Sequence, residues 1–419
     1  MLMVGALASI APTSAEPLRW NGPLTQAQVV SRARQSFAAQ LAALDAQSAA
    51  AQARSTRAQA LPHVSVSETT MNSTLTQLGM PAARQTYGSL NASVPLFAPQ
   101  AWAAARAAGS EAAAARATAA MDVNQAVTDA VQKYDAAALT RAIAQQRAID
   151  VRDQQSHLSN TQERVRTGAA PRYLIARDQA ALAQAQQSEE DARADADRAL
   201  HALEVLLDFD TGSMPVVALQ APSLTFAPDV ATLEQRAYLQ RPDVVAAERL
   251  MLAARQRMTR ARSEYLPIIS ATAQTYNGAS SPALGTAGSQ VSVSASLPLF
   301  DGGSRSADAQ TAQVNYERAR IDLDRTRLQT QADVLDAVRD LQASQRNVVT
   351  ASDELTNADQ ELRIAELRER AGKGIELETL DALATLASAR EDVLRATARY
   401  DDSLAALHRA AGDYAPPSY

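Results

Sequence analysis

The chain carries one structural unit twice. "RAQALPHVSVSETT" from Arg57 matches "RSEYLPIISATAQT" from Arg262, Val94-Pro95-Leu96-Phe97 matches Leu297-Pro298-Leu299-Phe300, and "RVRTG" from Arg164 matches "RERAG" from Arg368. The three anchors keep their order at offsets of roughly 203 to 205 residues, and self-similarity at a fixed offset marks a duplicated unit. The copies run approximately over 24–207 and 229–412. A linker rich in Pro, Gly and Ser, 208–228, joins them; residues 1–15 and 16–23 precede the first copy, and a tail of 413–419 follows the second.

Each copy reads helix, strand, strand, long helix, turn, helix. Val291, Val293, Ala295 and Leu297 alternate with Ser292, Ser294 and Ser296, as Leu90, Ala92 and Val94 alternate with Ser89, Asn91 and Ser93. Such period-two patterning gives a strand one apolar and one polar face. The spacing predicts strands over 63–75, 86–97, 267–277 and 289–300, each about the length of a tilted strand crossing a membrane. The loops "TLTQLGMPAARQ" and "GASSPALGTAG" join each pair. Pro95 with Phe97, and Pro298 with Phe300, then mark the hand-over from strand to helix, with proline ending the ladder.

Long helices follow. Between Pro99 and Pro171 there is no proline, and between Gly303 and Gly372 neither proline nor glycine. We therefore predict helices over 99–167, 171–207, 304–371 and 376–411. Each longer one would extend on the order of 100 Å at 1.5 Å per residue. Val334, Leu341, Val348, Leu355 and Leu362 recur every seven residues, and Ala337, Ser344, Ala351, Ala358 and Ala365 sit three places after each. Large and small residues alternating in this way suit closely packed antiparallel helices.

Composition excludes other classes. A net charge of −6 and interleaved acids and bases leave no phosphate-binding stripe, so no nucleic-acid partner is expected. No cysteine is present, which removes disulfides and thiolate chemistry and suits an oxidising compartment. "MLMVGALASIAPTSAEPL" reads as a signal-peptide remnant cleaved after Ala15, or else as a hydrophobic N-terminus without structure. The four histidines, His63, His157, His201 and His408, show no metal-ligand spacing. Lys373 lies in "AGKG", which no strand precedes and whose glycine pattern is wrong for a phosphate loop. No enzyme activity, cofactor or metal is expected.

Four half-apolar strands cannot close a barrel alone, because the smallest transmembrane barrels need about eight. An open sheet edge in lipid leaves backbone groups unpaired at several kcal/mol each. The strands must therefore be pooled by several copies of the chain. Two copies would give eight strands, filled by their own side chains; three would give twelve, enough to enclose a lumen.

The "SVSASLPLFDGG" junction, the "LQRPDVVAAERLMLAARQRMTRARSEYLP" stretch and the glycine turns near Gly168 and Gly372 resemble the TolC-type outer-membrane efflux factors. The resemblance covers nearly the whole chain. It implies a mainly α protein with a small β part: a tandem-repeat protomer of a homotrimer whose twelve-stranded β-barrel sits in the outer membrane, continued by a long α-helical barrel through the periplasm. It further implies an exit duct docked to a periplasmic adaptor (membrane fusion) protein and an inner-membrane transporter, of the resistance-nodulation-division type by the RPD-type stretch. The absence of the N-terminal lipidated cysteine is a departure from many such members.

By the same resemblance, Glu378 and Asp381 would ring the closed periplasmic aperture. The same carboxylates, with Glu376, would also complement the dipole at the start of the last helix. Gly168, Gly372, Lys373 and Gly374 would meet the adaptor, although glycine is equally required by the turns themselves. Arg164, Arg166, Arg368 and Arg370 would terminate the long helices or tie neighbouring helices together. Two alternatives stand beside the drug-efflux duct: the outer channel of a type I protein secretion system, and a soluble coiled-coil scaffold.

Overall fold

Helix caps and strand register account for most of the chain in the computed structural model, which describes residues 19–73, 83–210, 213–219, 224, 229–277 and 287–412. The signal-peptide remnant, most of both strand-connecting loops and the C-terminal tail lie outside the described residues. The elements in order are β1 (Asn21–Pro23), α1 (Gln26–Ala33), α2 (Phe37–Ala58), β2 (His63–Ser73), β3 (Ala83–Phe97), α3 (Pro99–Arg166), α4 (Tyr173–Leu206) and β4 (Met214–Val216). Then follow α5 (Val230–Gln240), α6 (Pro242–Ser263), β5 (Ile268–Asn277), β6 (Ala287–Ser296), α7 (Ser304–Arg370) and α8 (Glu376–Ala411). Among the described residues no helix is long and apolar enough to cross a membrane. The chain divides into two units, one combining residues up to Gln40, Asp122–Ala237 and the chain from Ala332, the other Leu41–Met121 and Tyr238–Gln331.

The second unit holds the sheet, antiparallel in the order β2-β3-β5-β6. Register keeps its two faces apart. Val64 opposes Ala92 and Val66 opposes Leu90; Ala271 opposes Val293 and Ala273 opposes Val291. On the other face Ser67 and Ser89 share a hydrogen bond of 2.8 Å, Ser270 and Ser294 one of 3.0 Å, and Thr272 and Ser292 one of 2.7 Å. A one-residue slip would mix these sets, so the pattern itself pins the register. The apolar face is bare: Val66 is 81% exposed and Val291 79%.

The two strand–helix junctions differ, which corrects the reading of proline as the end of the ladder in both copies. Pro95 lies inside β3, opposite Ser270, and the ladder continues past a bulge to pair Phe97 with Ile269. The bulge absorbs Leu96, so proline's missing N–H costs no further pairing. Phe97 then packs edge-on to Trp102, with ring centroids 5.8 Å apart. In the second copy β6 stops at Ser296, and Leu299 and Phe300 stand 88% and 90% exposed. There Asp301 starts the helix: its carboxylate accepts hydrogen bonds from the N–H groups of Gly303 (3.1 Å) and Arg305 (3.0 Å). Arg305 also covers the Tyr265 ring at 5.0 Å.

The first unit is held by helix packing. Val334 and Leu341 of the α7 heptad are fully buried with Tyr400 and Leu407 of α8, and Ala337, Ser344, Ala351, Ala358 and Ala365 are buried at the small positions. A second core joins Val29 and Val30 of α1 to Ala130, Tyr134 and Ala137 of α3 and Leu203 and Leu207 at the end of α4.

The linker's described residues make specific contacts. Its β4 pairs in parallel with β1, in register from Asn21–Met214 to Pro23–Val216. Asp208, in the left-handed region at φ 54°, accepts the Phe37 N–H at 2.7 Å and so caps α2. Arg32 donates to the Leu207 and Asp208 carbonyls at 2.8 and 3.2 Å, satisfying the end of α4.

Candidate functional site

Two turns, α3 to α4 and α7 to α8, are built alike. Gly168 has φ 77° and Gly372 φ 68°. The Ala169 N–H reaches back to the Arg164 carbonyl at 2.7 Å, and the Lys373 N–H to the Arg368 carbonyl at 2.8 Å. The glycine N–H groups bond to Val165 (3.1 Å) and Glu369 (3.0 Å). Both helices therefore close with the same left-handed glycine cap. Gly374 is constrained in another way: a Cβ there would come within 3.1 Å of the Arg368 Cβ and the Glu369 nitrogen.

Charges tie the turns to each other. Arg164, on the last turn of α3, forms an ion pair with Glu369 on the last turn of α7. The Thr379 hydroxyl of α8 donates to the same carboxylate at 2.6 Å. Arg166 and Arg370 stay within their own helices, pairing with Glu163 at 2.5 Å and Glu366 at 2.8 Å. Arg368 lies 3.7 Å from Glu378. Glu378 and Asp381 are exposed on the first turns of α8, as is Lys373 in the turn before it. Leu174, at the corresponding place in the first copy, is buried.

Behind this surface sits a cluster that sequence spacing does not reveal. His157 of α3, Asp178 of α4 and Glu376 of α8 are all buried, and one nitrogen or oxygen from each lies within 4.8 Å of the others. His157 Nε2 is 3.7 Å from Asp178 Oδ2. Burial, then the neighbouring Asp178 charge, pushes the Glu376 carboxyl up to about 7, against the opposing pull of Arg164. The residues sit on three helices far apart in the sequence. The available signal was weak: polar residues at inward positions of otherwise apolar helix faces.

Residues 233–413 match the family model described as outer membrane efflux protein. Comparison with curated proteins finds no match. Among solved structures, the outer membrane protein VceC of Vibrio cholerae is 21% identical with a TM-score of 0.80, over 93% of this chain and 96% of that one. The CmeC outer membrane channel of Campylobacter jejuni is 18% identical with a TM-score of 0.78, over 96% and 90%. The MtrE outer membrane channel of Neisseria gonorrhoeae, in its open state, is 18% identical with a TM-score of 0.78, over 93% and 89%. Residues 233–413 thus resemble the outer membrane efflux protein family, and along nearly its whole length the chain has the fold of these channels.

Proposed function

We propose that the chain is the outer-membrane exit duct of a tripartite efflux pump. Three copies pool their strands into a twelve-stranded barrel in the outer membrane, and the helices carry the passage into the periplasm. There it meets a periplasmic adaptor and an inner-membrane transporter of the resistance-nodulation-division type. The observation that carries this reading is the sheet: its apolar face is bare, its polar face is lined with hydroxyls, and β2 and β6 are open edges. In lipid those edges need partners, and in water the bare face would be an aggregation hazard. The duct supplies no energy of its own. It conducts passively what the pump delivers.

At the start of α8, Glu378 and Asp381 form a carboxylate ring that favours cations in a narrow passage. The turn residues Gly168, Gly372, Lys373 and Gly374 offer exposed backbone to the adaptor.

Mass measurement of the detergent-purified protein tests the assembly: three chains are expected, and a detergent-free monomer would overturn it. Expression in a cell lacking its own outer channel separates the cargo classes. Restored drug resistance with a co-expressed pump supports efflux; secreted protein with a type I exporter and no restored resistance supports secretion instead.

A further inference from the structure

We infer that His157, Asp178 and Glu376 form a binding site for a divalent transition-metal ion that pins α3 and α4 of the first copy to α8 of the second. The site is independent of the duct reading, because it is tested by metal content alone.

The argument starts from burial. His157 is 9% exposed, Glu376 7% and Asp178 1%. His157 Nε2, both Asp178 oxygens and both Glu376 oxygens have no hydrogen-bond partner among the described residues. Buried polar atoms are nearly always satisfied, so three buried side chains with unpartnered atoms, offering one ligand atom each within 4.8 Å of the others, point to a ligand. The nearby cation does not fill the role: Arg164 is paired to Glu369, whose other oxygen accepts from Thr379.

The donor set selects the ligand. Two carboxylates carry together the charge that a divalent ion neutralises, and a neutral imidazole presents a lone pair. Imidazole favours zinc and its neighbours over calcium or magnesium, which prefer all-oxygen sites. Three protein ligands leave a fourth position for water, as zinc permits. Ligand atoms about a tetrahedral zinc stand roughly 3.4 Å apart at bond lengths of about 2.1 Å. Side-chain rotations of about 1 Å would bring a set already within 4.8 Å to that spacing.

The test uses untagged full-length protein in detergent, stripped with a chelator and dialysed against Zn²⁺. One zinc per chain is expected, with Co²⁺ giving the visible absorption of a four-coordinate site. His157→Gln and Glu376→Gln should each weaken binding more than tenfold, while His201→Gln, which alters an exposed histidine, should not. Should either ligand variant fold poorly, Zn²⁺ should still raise the melting temperature of the wild-type chain and not that of Asp178→Asn. No bound zinc, or equal binding by the wild-type and ligand variants, overturns the site.

Discussion

Arg147 of α3 holds Glu391 of α8 at 2.5 Å, and Glu391 is only 3% exposed. The pair ties the first copy's long helix to the second copy's last one. Arg395 shares the carboxylate at 2.8 Å, and Arg390 lies 3.1 Å from Asp153 and 3.8 Å from Asp150. Removing one member of a buried pair leaves the other charge uncompensated, which typically costs about 3–5 kcal/mol. Arg147→Ala should therefore destabilise the folded chain by about 2–4 kcal/mol, with Arg395 retaining part of the compensation. Adding Glu391→Gln should recover much of the loss. Denaturant titration of both variants measures the difference.

Stability should fall as the medium becomes alkaline. Burial first, then the charges of Asp402 and Asp401, pushes the Asp135 carboxyl up to about 8 from an ordinary 3.8. Asp401 is pushed to about 7 by burial and Asp402. With a folded pKa above the unfolded one, the folded chain binds the extra proton. The contribution of these carboxyls is therefore fully present below about 4 and is lost as pH rises through about 7 to 8. Asp135→Asn should flatten that slope and stabilise the protein at pH 8 by roughly 1–3 kcal/mol, read by thermal melting across pH. An unchanged slope would place the pH sensitivity elsewhere.

The glycine turns predict a local cost. Alanine at Gly168 or Gly372 must adopt a positive φ, at about 1–2 kcal/mol each. Gly374→Ala acts differently, by contact with Arg368 and Glu369. Hydrogen exchange should show all three variants fraying at the ends of α3 or α7 while the β2-β3-β5-β6 sheet stays protected.

Face matters in the sheet. Lysine at Val293 would stand on the apolar side and cost up to about 2–4 kcal/mol, less if the residue lies near the lipid interface. Lysine at Ser294, one residue on, faces the hydroxyl side and should be tolerated. Membrane-assembled protein, resolved on unheated gels, should fall sharply for Val293→Lys and little for Ser294→Lys.

The proposed carboxylate aperture predicts ion selectivity. Glu378→Gln with Asp381→Asn should lower the cation preference of single channels in planar bilayers. Arg368→Ala, which frees Glu378 from its 3.7 Å partner, should raise it. Unchanged selectivity in both would remove the gate.

Fold class was legible because periodicity carries it. Period two marked Val291 and Val293, period seven marked Val334 and Leu341, and glycine marked the helix ends at Gly168 and Gly372. What stayed hidden depends on neighbours distant in sequence. A three-residue strand such as Met214–Val216 has too little pattern to announce itself, and its partner Asn21–Pro23 reads as an extension. The bulge at Leu96 is invisible because the same VPLF and LPLF letters fold in two ways, according to whether the strand has a partner on that side. His157, Asp178 and Glu376 meet only once three helices have packed.

The β3–β5 ladder makes the two boundaries between repeats unequal. In a ring of three chains the repeats alternate as six near-equivalent sectors, but one kind of seam lies within a polypeptide and the other between polypeptides. The inner seam is hydrogen-bonded from Gly88–Asn277 to Phe97–Ile269 and cannot part without unfolding. In such a ring only the seams between β6 and the next β2 would assemble, slip or be poisoned by an added strand. Such a ring would therefore have three seams able to open, not six.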